Sequence, residues 1–144
     1  MKKLWKFMKA VVFVVIIFVV LICAIGMKQK HRKQKNSGYK YDAVGKGGDI
    51  GYMQINQEWH TDRMERLGAT DLKNPYQNVR VGIDYMAELL GQYQTSVAVS
   101  AYNRGAHNDS GTGALDLADK GQYQTEYSEK VLNRAAEIEK ELSQ

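Results

Sequence analysis

Gly51-Tyr52-Met53-Gln54-Ile55-Asn56 is the segment on which the reading of this chain turns. Two amide side chains, Gln54 and Asn56, stand near a glycine that allows close approach of backbone or ligand. An amide offers both a donor and an acceptor, which suits hydroxyl and acetamido groups on sugars. The same six residues also describe a capped turn with Met53 and Ile55 facing a core, and spacing alone leaves both readings open. Gly45, Gly47 and Gly48 lie just upstream, so residues 39–57 are expected to form turns or a short hairpin rather than a helix.

Downstream the periodicity becomes helical. Asn74-Pro75 is a start signal, and Val79, Gly82, Ile83, Met86, Leu89, Leu90 and Tyr93 recur at three- and four-residue steps. A shorter apolar stretch over Ser96–Tyr102 runs into Ala101-Tyr102-Asn103-Arg104-Gly105, where Asn103 taken alone reads as a helix C-cap. A last helix carries Tyr127, Val131, Ala135, Ile138 and Leu142 on one face, with Glu126, Glu129, Glu137 and Glu141 outward. Between these two helices, Gly105–Gly121 is polar and holds four glycines, which predicts a loop. Trp59 and the nine tyrosines suit stacking on sugar rings and core packing equally.

Upstream, Ala10 to Met27 is a run of 18 residues without a charge, flanked by lysines. As a helix it covers about 27 Å, enough to cross a hydrocarbon core, and it has no polar stripe. The expected organisation is a basic cytoplasmic end at 1–9, a transmembrane anchor at 10–27, a basic linker at 28–35 and one domain at 36–144. This places the chain in the cell membrane, single-pass, with the domain on the extracytoplasmic side. Ala24-Ile25-Gly26 offers a weak cleavage site, so a removed signal peptide is the alternative; both routes export the domain. Nine of the 20 basic residues lie in 1–35, where there is no acid, leaving eleven basic against 16 acidic residues beyond it. The basic pI therefore belongs to the N-terminal segment, and a nucleic-acid partner is disfavoured.

The single cysteine, Cys23, excludes an intramolecular disulfide and a cysteine zinc site. His31, His60 and His107 show no metal spacing, and Asp109–Asp119 lacks the alternating ligands of a calcium loop. No P-loop, dinucleotide fingerprint or nucleophile elbow is present, and neither a metal nor a cofactor is expected.

In chain order, Gly51-Tyr52-Met53-Gln54, Asn74-Pro75 with Asn78 and Gly82, Ala101-Tyr102-Asn103-Arg104-Gly105, and Tyr127 before Lys130-Val131 resemble the catalytic domain of the soluble lytic transglycosylases, relatives of goose-type lysozyme. The resemblance implies a mainly α, lysozyme-like domain of the α+β lysozyme superfamily behind the transmembrane helix. Its partner would be peptidoglycan, with Gln54, Met53, Tyr102, Asn103 and Tyr127 binding the glycan. In that family a single glutamate acts as acid and then base. The C6 hydroxyl of N-acetylmuramic acid attacks, and cleavage from N-acetylglucosamine leaves a 1,6-anhydro product.

That glutamate lies eighteen residues before the family's glutamine, which here falls on Asn36, followed by Ser37-Gly38-Tyr39 and later Ala43-Val44. An asparagine amide has no proton to deliver at ordinary pH and cannot act as base. The family's preceding helix is replaced by the basic linker and the apolar run. Asp42, Asp49 and Glu58 are the nearby carboxylates; Asp49 is best placed in sequence, and each reads first as a solvated or turn-capping acid. The functions implied are a membrane-anchored lytic transglycosylase-like protein, a catalytically degenerate peptidoglycan-binding module, and a truncated remnant.

Overall fold

The computed structural model describes residues 40–143. The anchor at 10–27, the linker at 28–35, Cys23, His31 and Asn36 lie outside the described residues. No helix among the described residues is long and apolar enough to cross a membrane. The described chain divides into two compact units, residues 40–84 and 85–143, with the boundary inside one helix.

In the unit at 40–84, strands β1 (Asp49–Ile50) and β2 (Ile55–Asn56) pair antiparallel, Asp49 opposite Asn56 and Ile50 opposite Ile55. Val44 bridges to Ile50 on the other side. This is the hairpin anticipated from the glycines. Helix α1 (Thr61–Leu67) follows a single 3-10 turn at Glu58–His60 and stops at Gly68, whose left-handed φ of 64° suits a residue without a β-carbon. Helix α1 shows no apolar period in the sequence because Met64 is its one buried residue, too little to mark a face.

Helix α2 (Pro75–Gln92) begins where Asn74-Pro75 indicated. The Asn74 Oδ1 accepts from the backbone N–H of Tyr76 at 3.0 Å and of Gln77 at 3.2 Å, with proline at the first helical position. The Gln77 Oε1 in turn accepts from the N–H of Thr70 and Asp71, fastening the incoming loop to the helix. The core of this unit comprises Met53, Ile55, Met64, Ala69, Leu72 and Val81, with Asn78 fully buried among them. Each large aliphatic side chain so buried contributes about 1.5–3 kcal/mol.

In the unit at 85–143, helix α3 (Thr95–Arg104) buries Val97, Ala98, Val99, Ser100 and Ala101 and packs against α4 (Ala114–Ala118) and α5 (Glu126–Leu142). Ile138 of α5 is buried, with Val131 and Ala135 packed against it. Leu142, expected on the same buried face, is 74% exposed in the last turn. At the other end of α5, Thr125 and Ser128 cap reciprocally: Thr125 N–H donates to Ser128 Oγ at 2.9 Å, and Ser128 N–H to Thr125 Oγ1 at 3.2 Å. Ser100 Oγ of α3 lies 3.0 Å from Thr125 Oγ1, so the buried hydroxyls satisfy one another.

The expected loop over 105–121 contains α4. A carboxylate, not an apolar period, organises it. Asp116 accepts from the N–H of Gly113 at 2.9 Å and of Asn108 at 3.2 Å, and lies 2.6 Å from His107 Nδ1. The His107 contact, with the two N–H donors, holds its carboxyl below the usual carboxylate range.

Candidate functional site

The turn between β1 and β2 presents Gln54. Among the described residues it is the single non-glycine at positive φ, 49°, in the left-handed region that a side chain with a β-carbon rarely adopts. Such strain persists only where surrounding contacts impose it, and it concentrates at functional sites. Three contacts impose it here. Gly51, at φ 73°, takes the sharp bend, and a β-carbon there would lie 2.5 Å from Asn78 Nδ2 and 2.9 Å from the Leu72 carbonyl. The Asn78 Oδ1 accepts from Met53 N–H at 2.8 Å, while its Nδ2 donates to the Ile50 carbonyl at 2.8 Å. Met53 is 2% exposed, its side chain lying where a β-carbon at Gly82 would be, 2.7 Å away. Met53 therefore supports the turn from beneath, buried but for 2% of its surface.

Above these contacts Gln54 is exposed. Its Nε2 donates to the Gly51 carbonyl at 2.8 Å, which fixes the amide plane. Asn56 Nδ2 donates to the Gly47 carbonyl at 2.8 Å, and its Oδ1 accepts from Glu58 N–H, so this second amide serves the hairpin itself. Asp42 and Glu58 are exposed, whereas Asp49 is half-buried.

In the unit at 85–143 the structure brings Tyr102 of α3 close to Tyr85 of α2, their rings 5.2 Å apart and tilted by 33°. Burial pushes the Tyr102 hydroxyl well above the usual phenol value, and the neighbouring Tyr127 and Tyr85 phenols raise it further. At neutral pH it is a hydrogen-bonding phenol, never a phenolate. Tyr127 opens α5 beside it. Asn103 is exposed on the last turn of α3 and is not the cap; Gly105, whose N–H donates to Ala101, ends the helix. Tyr85 went unread in the sequence because it falls off the apolar stripe of α2. Trp59, a candidate for sugar stacking, is 82% exposed on the turn before α1.

Charge is organised around Asp84, which both Arg63 and Arg66 of α1 approach, Arg66 Nη2 at 2.7 Å. The Arg66 hydrogen bond, opposed by burial and joined by Arg63, holds the Asp84 carboxyl below the usual range. This pair ties α1 to α2. No group of His, Cys, Asp and Glu among the described residues could hold a metal ion.

The described geometry includes the glutamine turn, its buried asparagine clasp and the tyrosine cluster after the alanine-rich helix. No solved structure matches the chain. A protein-family comparison matches residues 33–124 to the transglycosylase SLT domain. The chain therefore belongs to the transglycosylase SLT domain family, with a mainly helical, lysozyme-like domain and a lytic-transglycosylase-like function directed at peptidoglycan.

Proposed function

We propose that the chain is a membrane-anchored peptidoglycan-binding protein whose domain at 36–144 holds glycan strands outside the cytoplasmic membrane. Residues 10–27 anchor it and residues 28–35 link anchor to domain. Gln54, Tyr102, Asn103 and Tyr127 contact the glycan, and Met53 positions Gln54. The observation that carries this reading is the strained Gln54 turn, held by Asn78, Gly51 and the Met53–Gly82 packing. A structure that spends backbone strain to present one exposed amide supports a recognition role for that amide. Asn36 stands at the family's acid position, so the protein binds without the family's one-glutamate cleavage chemistry. Active cleavage, the alternative, requires a different acid.

The test uses the full chain in detergent beside its Asn36→Glu variant, each incubated with peptidoglycan, with co-sedimentation and mass spectrometry of soluble products. The reading expects both proteins to sediment with peptidoglycan. It also expects 1,6-anhydro muropeptides from the glutamate variant alone. Such products from the native chain would establish cleavage and remove the degenerate-binder reading. Failure of the native chain to sediment, with its helical circular dichroism intact, would remove both.

A further inference from the structure

We propose that Asp49 is a second glycan contact beside Gln54, the Asp49 carboxylate and Gln54 Oε1 together accepting hydrogen bonds from neighbouring hydroxyl or acetamido N–H groups of one sugar residue. The inference rests on the glycan-binding reading of the Gln54 turn and adds to it a residue and a ligand polarity. Three observations carry it.

The first is convergence. A β-carbon placed on Gly45 would lie 3.0 Å from Gln54 Oε1 and 3.5 Å from Asp49 Oδ2, so the two oxygens flank one point. Both oxygens therefore lie on the Gly45 side of the turn, near enough to one another to meet neighbouring groups of one sugar residue.

The second is unmet demand. Gln54 uses one of its two N–H donors on the Gly51 carbonyl, and no hydrogen bond of the described residues reaches its Oε1. The Asp49 carboxylate is half-buried, and no hydrogen bond or ion pair of the described residues reaches it. Lys46, in the same turn, makes no ion pair with it. A carboxylate in this setting ordinarily takes a nearby donor. Two acceptors facing one point therefore call for a ligand that brings the hydrogens, as the hydroxyl and acetamido groups of an amino-sugar strand do.

The third is clearance. Gly45 and Gly47 border Asp49 Oδ2, at 3.5 and 3.3 Å from their missing β-carbons. Neither has a positive φ, so the backbone conformation alone does not require glycine at either position. A side chain at either glycine would come into contact with the Asp49 carboxylate. The turn is nevertheless held firmly: Gly45 N–H donates to the Asp49 carbonyl at 2.7 Å and Gly48 N–H to the Gly45 carbonyl at 3.1 Å.

The test measures binding of a soluble β-1,4-linked N-acetylglucosamine hexamer to the full chain in detergent by calorimetry, with a thermal melt of each variant. Asp49→Asn keeps the shape but places a donor where the ligand's donor must sit, and affinity should fall about tenfold, the scale of one charge-assisted hydrogen bond. Gly45→Ala brings a methyl 3.0 Å from Gln54 Oε1 and 3.5 Å from Asp49 Oδ2, crowding the side of the turn where the two oxygens lie, and a similar loss is expected. Asp42→Asn, an exposed acid of the same segment, should bind as the native chain does. Weakening in both Asp49→Asn and Gly45→Ala at unchanged melting temperature supports the proposal. If Asp49→Asn proves unstable, Gly45→Ala decides, and native affinity in a folded Gly45→Ala protein overturns the proposal. If Gln54→Ala weakens binding while Asp49→Asn and Gly45→Ala do not, Asp49 is refuted and the Gln54 reading stands. If the native chain does not bind the hexamer, both fall together.

Discussion

Asn78 holds Met53 through a single buried hydrogen bond of 2.8 Å from the Met53 N–H to its Oδ1, and the other end of the same amide holds the Ile50 carbonyl. One side chain thus closes both ends of the turn that presents Gln54. It does so from a position with no solvent exposure on α2.

Asn78→Ala should consequently be among the most damaging single changes in the unit at 40–84. It strands one buried N–H and one part-buried carbonyl, each costing up to about 1–3 kcal/mol. Urea unfolding should show a loss of roughly 2–5 kcal/mol, and a loss below about 0.5 kcal/mol would contradict the clasp. Asn78→Asp, which keeps the acceptor and removes the donor, should also destabilise.

Gly82→Ala tests the packing beneath the turn. Its β-carbon would meet Met53 Cβ and Cε at 2.7 Å, an overlap that forces repacking at about 1–3 kcal/mol. Met53→Ala opens a cavity and costs about 2–5 kcal/mol by itself. In the double variant the new methyl occupies part of the space vacated, so the two losses should sum to more than the double variant shows. Strict additivity would mean the two residues do not share the site.

Gln54→Gly separates strain from recognition. Glycine adopts a φ of 49° without penalty, relieving about 1–2 kcal/mol, although the bond to the Gly51 carbonyl is lost. The melting temperature should hold or rise while sedimentation with peptidoglycan weakens. A stable variant that sediments as well as the native chain would remove Gln54 from the glycan contacts.

Acid should loosen α1 from α2 through Asp84. Its carboxyl is held low by Arg66 and Arg63, so the folded state binds a proton less readily than the unfolded chain. The resulting stability is fully present above about pH 4 and is lost as pH falls through the lowered folded value. Denaturation midpoints from pH 7 to pH 3 should fall more steeply for the native chain than for Asp84→Asn. Because the Arg66 side chain is 57% exposed, added salt should shrink its share.

Much of the fold was legible where local chemistry decides it. Asn74-Pro75 marks the start of α2 because a capping side chain and a preset φ act within four residues. Gly48 and Gly51 announce the hairpin because their left-handed φ of 84° and 73° favours a residue without a β-carbon. Helix α1 escaped because its ion pairs to α2 and a single methionine hold it, and neither leaves a period. Helix α4 escaped because Asp116, satisfied by His107, Asn108 and Gly113, organises a stretch whose glycines look like loop.

The candidate site divides the same way. Gln54, Tyr102, Asn103 and Tyr127 could be singled out from motif order, since motif order is a property of the chain alone. That Met53 faces inward, that Asn78 clasps the turn, and that Asp49 shares a corner with Gln54 required the backbone to fold. Residues 25 and 28 positions apart meet at Asn78, and only tertiary packing brings such distant groups within hydrogen-bond distance. The sequence by itself determined the family, the start of α2 and the asparagine at position 36. The tertiary structure decided which amide is buried as a clasp and which is exposed, because burial and hydrogen-bond partners are set by packing rather than by residue type.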